Sequence, residues 1–135
     1  MLTPDFSRYS LALLQGDIFL HSSAGSGLRP LWEALEKYSD RSGLMLHDKV
    51  MGLAAARLIE RSGIINEVCA EVASLPAKQF LKECGIRLTA FKLVKNILAK
   101  DHSRICPGEI IALYTGEPDA FYRKIKEMLD SQATS

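Results

Sequence analysis

The chain has no excess of charge of either sign. Lys and Arg number 17 against 16 Asp and Glu in 135 residues, and the two signs are interleaved. That balance supplies no electrostatic drive toward DNA, RNA or an anionic membrane, and it leaves no basic stripe. Aromatic residues are scarce at 7%, and Tyr and Phe are not set between Lys and Arg as they are in a single-strand binder. The three cysteines, Cys69, Cys84 and Cys106, are odd in number and irregularly spaced, which excludes a disulfide framework. No apolar run approaches the ~20 residues that a membrane span needs. The opening "MLTPDFSRYS" has no cationic region followed by an apolar core, so it does not read as a secretory signal. Internal repeats and low-complexity tracts are missing. So are a Ser-His-Asp order and the paired carboxylates of sugar hydrolysis. These absences together set the expectation of a cytoplasmic protein with reduced thiols.

What remains is an ordinary globular composition, 47% hydrophobic and 24% charged, in a length suited to one core. Residues 1–135 are expected to form a single domain, with 1–9 and 130–135 loosely ordered. "SLALLQGDIFLHS" reads as a hairpin turning at Gln15-Gly16-Asp17. After the small-residue loop "SSAGSG", Leu28, Leu31, Trp32 and Leu35 keep helical spacing, with Pro30 in the first turn. The stretch "LMLHDKVMGLAAARLIERSG" reads as a second helix entered at His47-Asp48-Lys49 and closed by Gly63. "INEVCAEVAS" predicts a strand, "LPAKQFLKEC" a helix with Pro76 in its first turn, and "IRLTAFKLV" another strand. A Pro107-led helix and an amphipathic one carrying Phe121, Ile125, Met128 and Leu129 close the chain. Strands alternating with helices after a hairpin imply an α/β sandwich with a mixed sheet.

Four stretches carry a family resemblance: "GLRPLWEALEK", "HDKVMGLAAARLI", "VCAEVASLPAKQFLKECGI" and "ICPGE". In that order and spacing they resemble domain-of-unknown-function family 1893. The family is similar in fold to cytidine deaminases and has no established activity. The resemblance therefore implies a three-layer α/β/α sandwich with a mixed sheet, cytidine-deaminase-like, and says little about chemistry. Zinc deaminases place His-x-Glu at one helix start and Pro-Cys-x-x-Cys at the next. Here His47 is followed by Asp48 and then by Lys49 where the Glu would stand, and Pro76 by Ala77 and Lys78 with no cysteine pair. Three protein ligands are the norm for a catalytic zinc, and only His47 matches. The expectation is a protein with no zinc, no other metal and no cofactor beyond a nucleotide-type ligand.

Several residues are candidates for a ligand site. Asp48 suits a helix N-cap, and Lys49 is a cation that the helix dipole disfavours in a first turn. Lys49 could contact a phosphate or act as an amine toward a sugar aldehyde; His47 reads more readily as a hydrogen-bonded structural residue. Gly27 and Arg29 end a small-residue turn that reads either as a connector or as a phosphate-binding loop. Glu71 lies within an apolar strand that ends at Ser74 and Pro76, the end where open α/β sheets bind ligands. Cys106 precedes a proline-led helix, Glu109 is placed to cap that helix from within, and His102 lies four residues before Cys106. The function expected is binding of a nucleotide-like ligand of ribose-phosphate or ADP-ribose type, without nucleic acid or membrane partners. The alternatives are an enzyme using Lys49, Glu71 or Cys106, and an interaction module without a small ligand. A homo-oligomer is expected by analogy with the fold.

Overall fold

The computed structural model describes residues 2–98 and 104–133. His102 lies outside them. The hairpin forms where the turn chemistry places it. Strands β1 (Leu11–Gln15) and β2 (Ile18–Ser23) pair antiparallel across a two-residue turn. Gly16 sits there at φ 59°, a conformation that an L side chain resists. Helix α1 (Arg29–Lys37) then carries the chain to β3 (Leu44–Met51), which pairs antiparallel with β1. Helix α2 (Leu53–Ser62), strand β4 (Ile65–Ser74), helix α3 (Leu75–Glu83) and strand β5 (Arg87–Val94) follow, with β3, β4 and β5 mutually parallel. Helices α4 (Pro107–Tyr114) and α5 (Pro118–Ala133) finish the fold. The sheet is open, mixed and five-stranded, in the order β2-β1-β3-β4-β5.

The central strand corrects the sequence reading. Residues Leu44 to Met51, expected as the lead-in and first turn of a helix, are β3, and α2 begins only at Leu53. His47, Asp48 and Lys49 are therefore strand residues, and Asp48 caps no helix. The misreading has a physical source. Val50, Leu53, Ala54 and Leu58 keep a helical spacing that runs backward past the true start, and Asp48 interrupts the strand alternation set by Leu44 and Leu46.

Strand register sorts side chains into two faces. Leu13, Leu46, Val68 and Leu88 form one row, and Leu11, Asp48, Ala70 and Ala90 the next. These rows face the helices, and their apolar members join buried or partly buried residues of α1, α2, α3, α4 and α5 in one continuous core. The small run Ala54, Ala55 and Ala56 is buried, which lets α2 approach its neighbours closely. Successive parallel crossovers in the same direction place their helices on the same side of a sheet. Helices α1, α2 and α3 thus share one face, with α4 packed against α2 and α5 against α4. The opposite face carries Met45, His47 and Lys49 of β3, Cys69 and Glu71 of β4, and Thr89 and Phe91 of β5. It is partly open: Phe91 is 63% exposed. The segment before β1 lies across it, with Tyr9 against His47 and Phe6 against Tyr9.

Candidate functional site

Four helix starts carried candidate residues, and the structure arranges each differently. At α2 the two leading amides, those of Leu53 and Ala54, donate to the two carboxylate oxygens of Glu109, each at 2.8 Å. A carboxylate complements the positive end of a helix dipole, so Glu109 of α4 caps α2 and does not cap its own helix. The fit is close. Gly52 precedes α2, and a Cβ there would lie 2.6 Å from Glu109 Cδ. Glu109 is 6% exposed, and burial raises its pKa against the lowering effect of the Ala54 and Leu53 amides. An α2 start free to take an external anion is therefore absent: the protein supplies its own.

At α1 the cation of the turn is engaged within the fold. The Arg29 guanidinium donates to the carbonyl of Leu129 near the end of α5, and Leu28 reaches toward Gly108 of α4. Gly27 has a positive φ of 73° and serves the turn. Cys106 is the N-cap position of α4, and its carbonyl accepts from the amides of Glu109 and Ile110 at 2.9 and 3.1 Å. That is a structural turn, with the thiol half-buried.

The β3 trio divides between the faces. Asp48 points toward the helices, where desolvation raises its pKa to about 8 despite opposing hydrogen bonds from the Val50 and Lys49 amides. The residue keeps some surface, but its carboxyl group is desolvated. His47 and Lys49 are on the opposite face. His47 is fully buried, with Nδ1 2.8 Å from Tyr9 Oη, whereas Lys49 is exposed. Glu71 is on that same open face, half-exposed beside Cys69. No group of three or more His, Cys, Asp or Glu among the described residues could hold a metal ion.

The start of α3 is different. Ser74, fully buried, caps it by accepting from the Ala77 amide at 3.2 Å, and Pro76 fits the first turn. Above this turn lies a groove of about 650 Å³ lined by Leu75, Pro76, Lys78, Gln79, Lys82, Lys95 and Asn96. Lys78 and Lys82 are four apart and so project from one side of α3. Lys95 and Asn96 follow the last residue of β5. The groove therefore sits at the C-terminal ends of two parallel strands, the end where open α/β sheets take ligands. Among the described residues none that lines it is acidic, and none of the three lysines stands in an ion pair. Of the sequence candidates only Pro76 lines this groove, with Ser74 beneath it. Gly27, Arg29, His47, Asp48, Lys49, Glu71, Cys106 and Glu109 are not brought together there. The lysines escaped the sequence reading because Lys78 and Lys82 look like the solvated side of an amphipathic helix; only the fold adds Lys95. A smaller pocket of about 180 Å³ lies among α1, α2 and α5, bordered by Trp32 and Tyr122, which stack at 4.6 Å, and by Arg61.

An open mixed sheet with helices on one face and a basic groove at its parallel strand ends defines the class. The family follows from comparison. Domain of unknown function DUF1893 matches residues 5–129, so the chain belongs to the DUF1893 family. A solved structure of a DUF1893 family protein (TM1506) from Thermotoga maritima is similar over 91% of this chain and 82% of that one, with a TM-score of 0.81 and 25% identity. No curated protein matches. No described helix is long and apolar enough to cross a membrane.

Proposed function

We propose that this protein binds a phosphate-bearing small molecule of nucleotide-like or ribose-phosphate type, ADP-ribose included, in the groove over α3. The observation that carries the reading is the lining itself: Lys78, Lys82 and Lys95 around a volume of about 650 Å³, with no carboxylate among the described lining residues. Pockets of roughly 300–1,000 Å³ suit small ligands. Three ammonium groups provide point charges for phosphate oxygens, Asn96 and Gln79 offer amides, and Leu75 with Pro76 supplies an apolar wall for a sugar or base. Leu75 is 51% exposed, an apolar side chain that such a wall would cover.

The reading is zinc-independent. Our cytidine-deaminase-like assignment of the fold is part of the same proposal, supported by the mixed sheet and by helices that start at the C-terminal ends of parallel strands. The starts of α1, α2 and α3 read Leu28-Arg29-Pro30, Gly52-Leu53-Ala54 and Ser74-Leu75-Pro76, so none offers the His-x-Glu or Cys pair of a zinc deaminase.

Calorimetric titration with inorganic phosphate, ribose 5-phosphate and ADP-ribose tests the reading. Binding that weakens with added salt is expected. Combining Lys78→Ala with Lys82→Ala is expected to weaken binding about tenfold or more, or ~1.4 kcal/mol. Lys49→Met, which lies on the far face of the sheet, is expected to leave it unchanged. No heat with any of the three ligands, or loss of binding in Lys49→Met alone, rejects the groove.

A further inference from the structure

We propose that the segment Asp5–Tyr9 is an acid-released strap over the open sheet face, latched by the hydrogen bond between Tyr9 and His47. The segment crosses the face at one corner and is held there by few groups. Tyr9 Oη lies 2.8 Å from His47 Nδ1. The same oxygen accepts from the Asp5 amide at 3.1 Å. Phe6 and Phe19 meet the Tyr9 ring edge-on, each with centroids at 5.9 Å. Beyond Tyr9, Ser10 continues into β1 through its amide bond to the Ser23 carbonyl.

The site suits a neutral imidazole, in which one ring nitrogen carries the proton and the other accepts. Nε2 is buried without a partner among the described residues. A charged ring would be a buried cation with two N–H donors, of which only the one on Nδ1 has an acceptor, Tyr9 Oη. Burial already lowers the pKa of His47 from its ordinary value.

The groups that face His47 do not offset a charge. From the strap come Tyr9 and Asp5, whose carboxylate is taken up by Ser7. Lys49, two residues on, is itself a cation. From β4 come the buried thiol of Cys69, which pairs with His47 in register, and Glu67 and Glu71 one step to either side. Across β1 and β2 stand Ala12 and Phe19, which carry no charge. Burial is what lowers the pKa of His47.

The sign follows from linkage. A histidine with a lowered pKa in the closed state binds its proton more tightly once the strap has left, so acid favours release. The closed strap is fully favoured above the ordinary histidine range near pH 6.5 and loses ground as pH falls below it. Release uncovers His47, Ala12 and the inner side of Phe19, and so extends the open face toward β2.

Hydrogen exchange of the full chain, corrected at each pH against the unfolded peptide, tests this. Between pH 7.5 and pH 5 the amides of Asp5 and Ser10 are expected to lose at least tenfold in protection, while β3 and β4 keep theirs. In His47→Gln the acid loss is expected to vanish. Equal protection of the strap at both pH values, or the same acid loss in His47→Gln, overturns the proposal. Should that variant fail to fold, imidazole ¹⁵N spectra of the unaltered protein decide: a neutral ring at pH 7.5, titrating together with the strap, is expected. A charged ring at pH 7.5, or a titration uncoupled from strap exchange, overturns it.

Discussion

At Gly52 and Glu109 two residues far apart in sequence depend on one another. The carboxylate of Glu109 occupies the space a side chain at Gly52 would need, and it satisfies the first two amides of α2. Gly52→Ala is expected to destabilise the protein by about 2–4 kcal/mol, the sum of local overpacking and a displaced cap, read as a lowered Tm. Glu109→Ala is expected to cost a comparable amount, because it leaves buried amides without an acceptor. Asp48 makes a separate prediction. Its carboxyl is raised to about 8, so the folded state holds a proton that the unfolded chain releases near pH 4. Stability tied to that proton is present below about pH 4 and is lost as pH rises toward 8. Asp48→Asn keeps an acceptor for the Val50 and Lys49 amides and removes the charge. It is expected to raise Tm at pH 8 and to have little effect at pH 4.5; the same shift at both pH values would contradict the assignment. None of this was visible in the residues alone. Glu109 sits where a capping-box acid belongs, and nothing in "ICPGE" says that it caps a different helix.

Among the elements, legibility followed the strength of the local signal. The hairpin was marked by Gly16 in a two-residue turn, β4 and β5 by β-branched and alternating residues, and α1 and α3 by spacing with a proline in the first turn. Strand β3 was hidden because its final residues share a helical spacing with α2 and because Asp48 occupies a helix-facing position. With β3 placed, the cluster read as a helix start dissolves: His47 and Lys49 go to one face and Asp48 to the other. The groove was hidden for a different reason. Its lysines come from the exposed side of α3 and from the chain just past β5, and each alone is an ordinary solvated cation. Helix α3 itself is held by its Ser74 cap and by the buried Ala77 and Leu81. Ser74→Ala is expected to cost about 1 kcal/mol by loss of the cap, and, because it loosens the turn beneath the groove, to weaken phosphate binding as well. A loss of stability with unchanged binding would separate the cap from the site.

For the whole molecule, the structure has a covered face and a face left partly bare. Helices α1, α2 and α3 pack on one side; on the other, Phe91, Lys49 and Thr89 stay exposed and the segment before β1 shields one corner. The family resemblance foresaw a mixed α/β fold, which the five-stranded open sheet and its five helices bear out. Balanced net charge is no guide to the groove, since one local concentration of lysines is cancelled elsewhere in the sum. The account therefore rests on location as much as on affinity. The most direct measurement is a backbone amide NMR titration with ADP-ribose, with inorganic phosphate as the minimal probe. The account predicts saturable shifts confined to Leu75–Lys82, Lys95 and Asn96. Shifts centred on Gly52–Ala54 and Glu109, or on the Lys49 and Glu71 face, or no shifts at millimolar ligand, would contradict it.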